Sequence, residues 1–268
     1  MLLAKLSVVC ACTLAGSALL LAGCSSVPED KTATWSPNKI YSEAKDELSA
    51  GAYDKAVTLF EKLEGRAAGT PLAQQAQLDK AYANYKTGEA AQAIATLDRF
   101  MKLHPASPAL DYALYLKGII NFNDDLGMFS AVTRQDLAER DQKAAKESFE
   151  SFKELVTRFP DSRYAPDANL RMTYIVNSLA QYEVHVARYY FGRGAFVAAI
   201  NRAQLVASDY QGMPALEEAL FIIVQSYDAL GMDKLRDDTK RVLETNYPQS
   251  EFLTRGFKAD SNPWWKFW

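Results

Sequence analysis

The chain has 268 residues, 49% of them hydrophobic and 24% charged, with 33 acidic against 30 basic side chains. That balance offers no basic stripe and no interleaving of basic with aromatic residues, which argues against a nucleic-acid or other polyanion partner. With two histidines, and with all three cysteines inside the first 24 residues, ligands for a metal centre are too few; no phosphate-cradling, dinucleotide or nucleophile-elbow motif occurs, and no cofactor is expected.

Residues 1–23 read as a signal peptide that is removed. Lys5 is a lone charge ahead of a short apolar run ending Leu19-Leu20-Leu21-Ala22-Gly23-Cys24, too short to serve as an ordinary spanning helix. The ending Leu-Ala-Gly-Cys resembles the bacterial lipobox, which implies cleavage before Cys24 and acylation of that cysteine. More than one acyl chain suffices for stable anchoring, so the membrane becomes a partner through the N-terminal lipid. By the sorting rule of enteric bacteria, Ser25 implies delivery to the outer membrane. The competing reading is a soluble periplasmic protein cut nearby. Without Lys5 the chain carries 29 basic against 33 acidic residues, a net −4. It would hold no free thiol and no disulfide, so its stability must come from packing. Residues 24–37 are polar and non-periodic and read as a flexible tether. Trp35 is the exception there: it either packs on the first folded unit or sits at the membrane interface.

From residue 38 to 255 the pattern is that of paired amphipathic helices. In Pro71–Pro105, Ala76, Ala81 and Tyr85 share one helical face, Gly88 breaks the chain, and Ala93, Leu97 and Phe100 form the facing stripe. The pair recurs. Pro71, Pro108, Pro166 and Pro214 open first helices, and Gly51, Gly88, Gly194 and Gly231 mark turns. Second helices carry Ala56-Phe60-Leu63, Ala93-Leu97-Phe100, Ser148-Phe152-Leu155 and Ala199-Ala203-Val206. His104-Pro105, Phe159-Pro160 and Tyr247-Pro248 close them. The pattern resembles the tetratricopeptide repeat, whose period is about 34 residues. The expected fold is all-α, an α-solenoid of about five helix pairs.

Two irregularities interrupt the period. Between Gly118 and Lys143 an insertion reads as a long loop with a helical piece, and Asp167 to Phe191 reads as one extended first helix. The tail, 256–268, ends Trp264-Trp265-Lys266-Phe267-Trp268. Such an aromatic cluster either caps the last repeat or docks a partner.

In this repeat class the concave face is built from first helices, three positions before and one and four after the close-contact small residue. That places Tyr41, Lys45 and Leu48 around Ala44, and Leu78, Tyr82 and Tyr85 around Ala81. Around Gly118 it places Tyr115, Ile119 and Phe122, with Tyr112 nearby. The group is expected to line an aromatic groove; the competing role for each single tyrosine is to fill the seam between helices. Adjacent carboxylates such as Glu217-Glu218 and Asp237-Asp238 diverge on a helix and suit solvation more than acid–base work. The chain reads as a non-enzyme.

A lipobox followed by five such repeats, with NKIYSEAKDELSAGAYDKAVTLFEKLE, DRFMKLHPASPALDYALYLKG and above all QYEVHVARYYFGRGAFVAAINRA, resembles the BamD/ComL family of the outer-membrane β-barrel assembly machine. The resemblance implies a lipid-anchored periplasmic scaffold whose C-terminal repeats bind the periplasmic domain of BamA. BamC and BamE are further implied partners. The N-terminal groove would receive targeting segments of unfolded outer-membrane proteins. It implies Arg202 as a partner contact facing BamA, with Tyr189 and Arg193 from the same segment. Two features depart from the family. The stretch Arg66-Ala-Ala-Gly-Thr-Pro-Leu-Ala lacks the aromatics usual between the first two repeats, and the tryptophan-rich tail is not general. The alternative function is a pilotin-like or peptidoglycan-linked repeat adaptor with the same anchor and fold.

Overall fold

The computed structural model describes residues 30–122 and 142–256. Cys24, the insertion at 123–141 and the tail at 257–268 lie outside the described residues. Within them the chain forms α1 (Pro37–Ser49), α2 (Tyr53–Arg66), α3 (Pro71–Lys86), α4 (Ala90–Leu103), α5 (Leu110–Asn121), α6 (Gln142–Arg158), α7 (Ala165–Gly192), α8 (Phe196–Asp209), α9 (Ala215–Ala229), α10 (Asp233–Asn246) and the short α11 (Glu251–Arg255). No strand occurs among the described residues.

Local chemistry sets the helix ends. Ser36 caps α1 by accepting from the Lys39 amide, and Thr70 caps α3 by accepting from that of Ala73; each is followed by a proline, whose missing N–H costs nothing at that position. Pro166 stands in the first turn of α7 and Pro214 caps α9, whereas Pro108 lies two residues ahead of α5. Gly51, Gly88, Gly194 and Gly231 all have positive φ, between 67° and 85°, so the turn inside each pair needs the left-handed conformation that glycine adopts without strain. Second helices end one residue before His104, Phe159 and Tyr247, as their prolines dictate.

Each helix packs on its neighbours in sequence, and first helices also touch one another, α1 on α3, α3 on α5 and α7 on α9. This is the stacking of a solenoid, in which every pair buries the open face of the one before. Four stripes predicted for the second helices are fully buried: Ala56, Phe60 and Leu63; Ala93, Leu97 and Phe100; Ser148, Phe152 and Leu155; Ala199, Ala203 and Val206. They anchor a row of apolar clusters along the chain, one for each contact between repeats. The extended first helix is α7, 28 residues long, with no glycine or proline between Pro166 in its first turn and Gly192 at its end. Its N-terminal half packs in the cluster of Phe152 and its C-terminal half in that of Ala199.

Two features depart from expectation. Residues 30–36, assigned to the tether, fold into a turn on the first repeat, and Trp35 packs against the cluster of Ile40 and Phe60. The last repeat is closed by α11, which periodicity did not reveal because it is five residues long. Phe252 stacks on Phe221 at 5.4 Å, and Leu253 joins the cluster of Leu220 and Leu243.

Candidate partner-binding surfaces

The first surface is the N-terminal groove. Tyr41 packs beside Phe60, with ring centroids 6.2 Å apart, and its hydroxyl donates to Asp79 Oδ2 at 3.0 Å. Lys45 Nζ reaches Asp79 Oδ1 at 3.3 Å. Asp79, on α3, is therefore a buried carboxylate held by two donors from α1. Tyr82, Tyr85 and Tyr112 are half-buried against the cluster of Leu78 and Phe100, each with an apolar edge in the seam. Tyr115 stacks on Tyr164, centroids 4.6 Å apart, and donates to Asp167 Oδ2 at 2.8 Å; Arg171 Nε meets the same oxygen at 2.6 Å. Tyr112 leans on Tyr164 at 5.7 Å.

Two residues assigned to the groove do not line it. Leu78 is buried in the seam, and Phe122 is buried edge-on to Phe152, under the Arg171 guanidinium. Sequence reasoning in turn missed Asp79, Asp167 and Tyr164. The available signal was a carboxylate on a first helix beside predicted aromatics. Within the expected aromatic face, the Tyr41 and Tyr115 hydroxyls thus tie α1 to α3 and α5 to α7 through carboxylates, while Tyr82, Tyr85 and Tyr112 pack in the seam.

Burial, with these neighbours, sets the ionisation of the groove. Burial, then the nearby Asp79 charge, pushes the Tyr41 phenol up to about 12. Burial first, then Asp79, Tyr164 and Tyr82, raises Tyr112 as well, and burial with the Asp167 bond raises Tyr115. Because Tyr41 is raised from an ordinary value of 10, its contribution to stability is fully present below pH 10 and disappears as pH climbs through about 12. Alkaline titration of phenolate absorbance should show one late phenol fewer in Tyr41→Phe than in the wild type. An unchanged late phase would refute the Tyr41–Asp79 coupling.

The second surface lies at the end of α7 and along α8. Tyr189 is 56% exposed, with Tyr190 edge-on at 5.8 Å and the Arg193 guanidinium 5.1 Å above its ring. Val197 and Leu205 on α8 are also exposed. The structure brings Tyr189 and Arg193 together and holds Arg202 apart. Arg202 Nη1 pairs with Glu183 Oε2 at 3.1 Å, and that carboxylate is buried in α7, six residues or about 9 Å of helix before Tyr189. Arg202 therefore has a partner within the chain. Among the described residues, no three histidine, cysteine, aspartate or glutamate side chains gather as a metal-binding group, and no helix is long and apolar enough to cross a membrane.

Comparison with known proteins gives the family of the chain. The family model described as YfiO, outer membrane lipoprotein, matches residues 33–243. The outer membrane protein assembly factor BamD of Neisseria meningitidis serogroup A is 48% identical over 237 residues, covering 88% of this chain and 89% of its own. That of Neisseria gonorrhoeae is 46% identical over 255 residues, 95% and 96% of the two chains, and that of Vibrio cholerae 35% over 227 residues, 85% and 94%. A crystal structure of MamA aligns with 83% of this chain and 97% of its own at 17% identity and a TM-score of 0.33. On the sequence matches, this all-α repeat chain belongs to the YfiO family of outer membrane lipoproteins, the family that holds the BamD assembly factors.

Proposed function

We propose that the chain is a non-catalytic scaffold for outer membrane protein assembly, held by lipid on Cys24 at the periplasmic face of the outer membrane. The observation that carries this reading is end-to-end similarity to relatives named as outer membrane protein assembly factors, over 95% of this chain in one case. The C-terminal surface is the docking face for the periplasmic domain of BamA, with Tyr189 and Arg193 in contact. An exposed tyrosine under an arginine, desolvated only when a partner covers it, is a common binding hot spot. The groove of Tyr41, Tyr82, Tyr85, Tyr112 and Tyr115 receives extended segments of unfolded outer-membrane proteins, and BamC and BamE are accessory partners.

The test is capture from detergent-solubilised envelopes with the tagged full chain. The wild type should recover a large outer-membrane barrel protein with periplasmic domains. Tyr189→Ala with Arg193→Glu should lower recovery tenfold or more, since hot-spot truncations cost about 2 kcal/mol, at an unchanged melting temperature because both side chains are exposed. Arg202→Glu should lower recovery and melting temperature together, because it sets a second carboxylate against buried Glu183. Undiminished capture by the Tyr189/Arg193 variant would remove the contact assignment. Recovery of a secretin or a cell-wall enzyme instead would favour the adaptor alternative.

A further inference from the structure

The turn at residues 30–36 is fastened to the first repeat more firmly than its composition suggests. Asp30 Oδ1 accepts from the Thr32 amide at 3.0 Å, from Thr32 Oγ1 at 2.7 Å and from Lys62 Nζ at 2.7 Å. Asp30 Oδ2 lies 3.5 Å from Arg66 Nη2. Arg66 Nη1 donates to the Thr32 carbonyl, and the Ala33 and Trp35 amides close the turn on Asp30 O and Thr32 O. The ammonium of Lys62, followed by the hydroxyl and amide of Thr32, holds the Asp30 carboxyl well below the usual carboxylate range, so the fastening is fully ionised at any physiological pH. Thr32 is buried, and Trp35 lies against the first apolar cluster with Lys39 Nζ 4.6 Å over its ring.

This fastening acquires meaning from what precedes it. Resting on the reading that Cys24 carries the membrane anchor, the six steps from Cys24 to Asp30 can span at most about 3.3–3.6 Å each, roughly 20 Å. On that reading the corner that holds Asp30 stays within roughly 20 Å of the bilayer surface, and its exposed lysines suit that surface. Lys62 and Arg66 engage the Asp30 carboxylate, while Lys31, next to it in sequence, and Lys39, over Trp35, are exposed. A tryptophan beside lysine is the pairing found at membrane–water interfaces.

We propose that this corner, Lys31 and Lys39 around Trp35, is a docking surface for anionic lipid headgroups, and that the Asp30–Lys62–Arg66 clamp makes docking orient the whole first repeat. The N-terminal end of α1 faces the bilayer and its C-terminal end, about 20 Å away along the 13-residue helix, points into the periplasm. Polybasic segments beside an anchor add to it by attraction to anionic leaflets.

The test reconstitutes the full lipidated chain in vesicles of phosphatidylethanolamine and phosphatidylglycerol, with a dye on a cysteine introduced at Thr34 or at Ala50. Energy transfer to headgroup-labelled lipid is read from each position. Docking predicts several-fold stronger transfer from 34 than from 50, and a collapse of that difference in Lys31→Glu/Lys39→Glu and in pure phosphatidylcholine. Asp30→Ala, which makes the corner more basic yet releases the clamp, should also shrink the difference. Equal transfer from 34 and 50 in the wild type, or a difference untouched by the double charge reversal, would overturn the proposal while leaving the anchor intact. Failure of the chain to stay with vesicles through a high-salt wash would overturn the anchor reading itself, and docking with it.

Discussion

Gly118→Ala should destabilise the protein although it replaces a helix-interior glycine with the best helix former. On propensity alone the change would add about 0.5–1 kcal/mol of stability. Packing reverses the sign. A Cβ at Gly118 would stand 2.6 Å from Phe152 Cδ1 and 2.8 Å from Cζ, nearer still to Cε1. The ring cannot yield easily: Phe152 is fully buried, with Phe122 edge-on at 6.3 Å and Tyr115 tilted at 6.1 Å. The Gly118 carbonyl also accepts a buried hydrogen bond from Ser148 Oγ at 2.8 Å, which fixes α6 at this separation. Overpacking costs about 1–3 kcal/mol, more for a branched side chain. For a chain of this size each kcal/mol lowers the melting temperature by roughly 2–4 °C. Thermal unfolding followed by circular dichroism should therefore show Gly118→Ala below the wild type and Gly118→Val lower again. Phe152→Leu should partly rescue Gly118→Ala by vacating the ring edge. A Gly118→Ala protein as stable as the wild type would show that α5 and α6 are not in this tight contact.

Removing Glu64 should cost more than removing either cation that it holds. Glu64 Oε1 lies 2.6 Å from Lys80 Nζ, at ion-pair distance without hydrogen-bond alignment, and Oε2 accepts from Arg99 at 2.9 Å. Lys80 is buried; the Arg99 side chain is 51% exposed. Glu64→Ala strands a buried ammonium, and breaking such a pair costs about 3–5 kcal/mol. Lys80→Met leaves Glu64 its contact with Arg99 and places a thioether where an alkyl stem already packs, so its cost should be far smaller. Urea unfolding would show the asymmetry directly. Hydrogen exchange should place the Glu64→Ala loss in α2, α3 and α4, since a solenoid distributes stability by neighbours. Equal losses from the two substitutions would mean that Arg99 carries no share of the compensation.

The sequence exposed the repeat because its rules are local. Ala56-Phe60-Leu63 and its counterparts follow helical spacing, and Gly51, Gly88, Gly194 and Gly231 mark turns whose geometry admits few other residues. The groove was less legible because its polar partners come from another repeat. Tyr41 meets Asp79 across 38 positions and Tyr115 meets Asp167 across 52. No periodicity within one helix announces a carboxylate supplied by the next pair. Phe122 was misplaced for a related reason: its offset from Gly118 fits the concave face, yet Phe152 and Arg171 enclose it from two other helices. The turn at 30–36 hid behind polar composition, because Thr32 is buried by a clamp whose cations, Lys62 and Arg66, lie on α2.

The length of α7 has a rotational consequence. Elsewhere a turn separates consecutive helices, and an added residue can be absorbed where glycine already bends the chain. Within the 28 residues of α7 there is no such slack. One residue inserted near Ile175 would advance everything after it by about 1.5 Å and turn it by about 100°, whereas an added turn of about 3.6 residues would nearly restore the phase. Tyr189 and Arg193 are thus geared to the N-terminal repeats by a rigid shaft. The angle at which the far face is presented is a property of helix length, held as strictly as any side-chain contact.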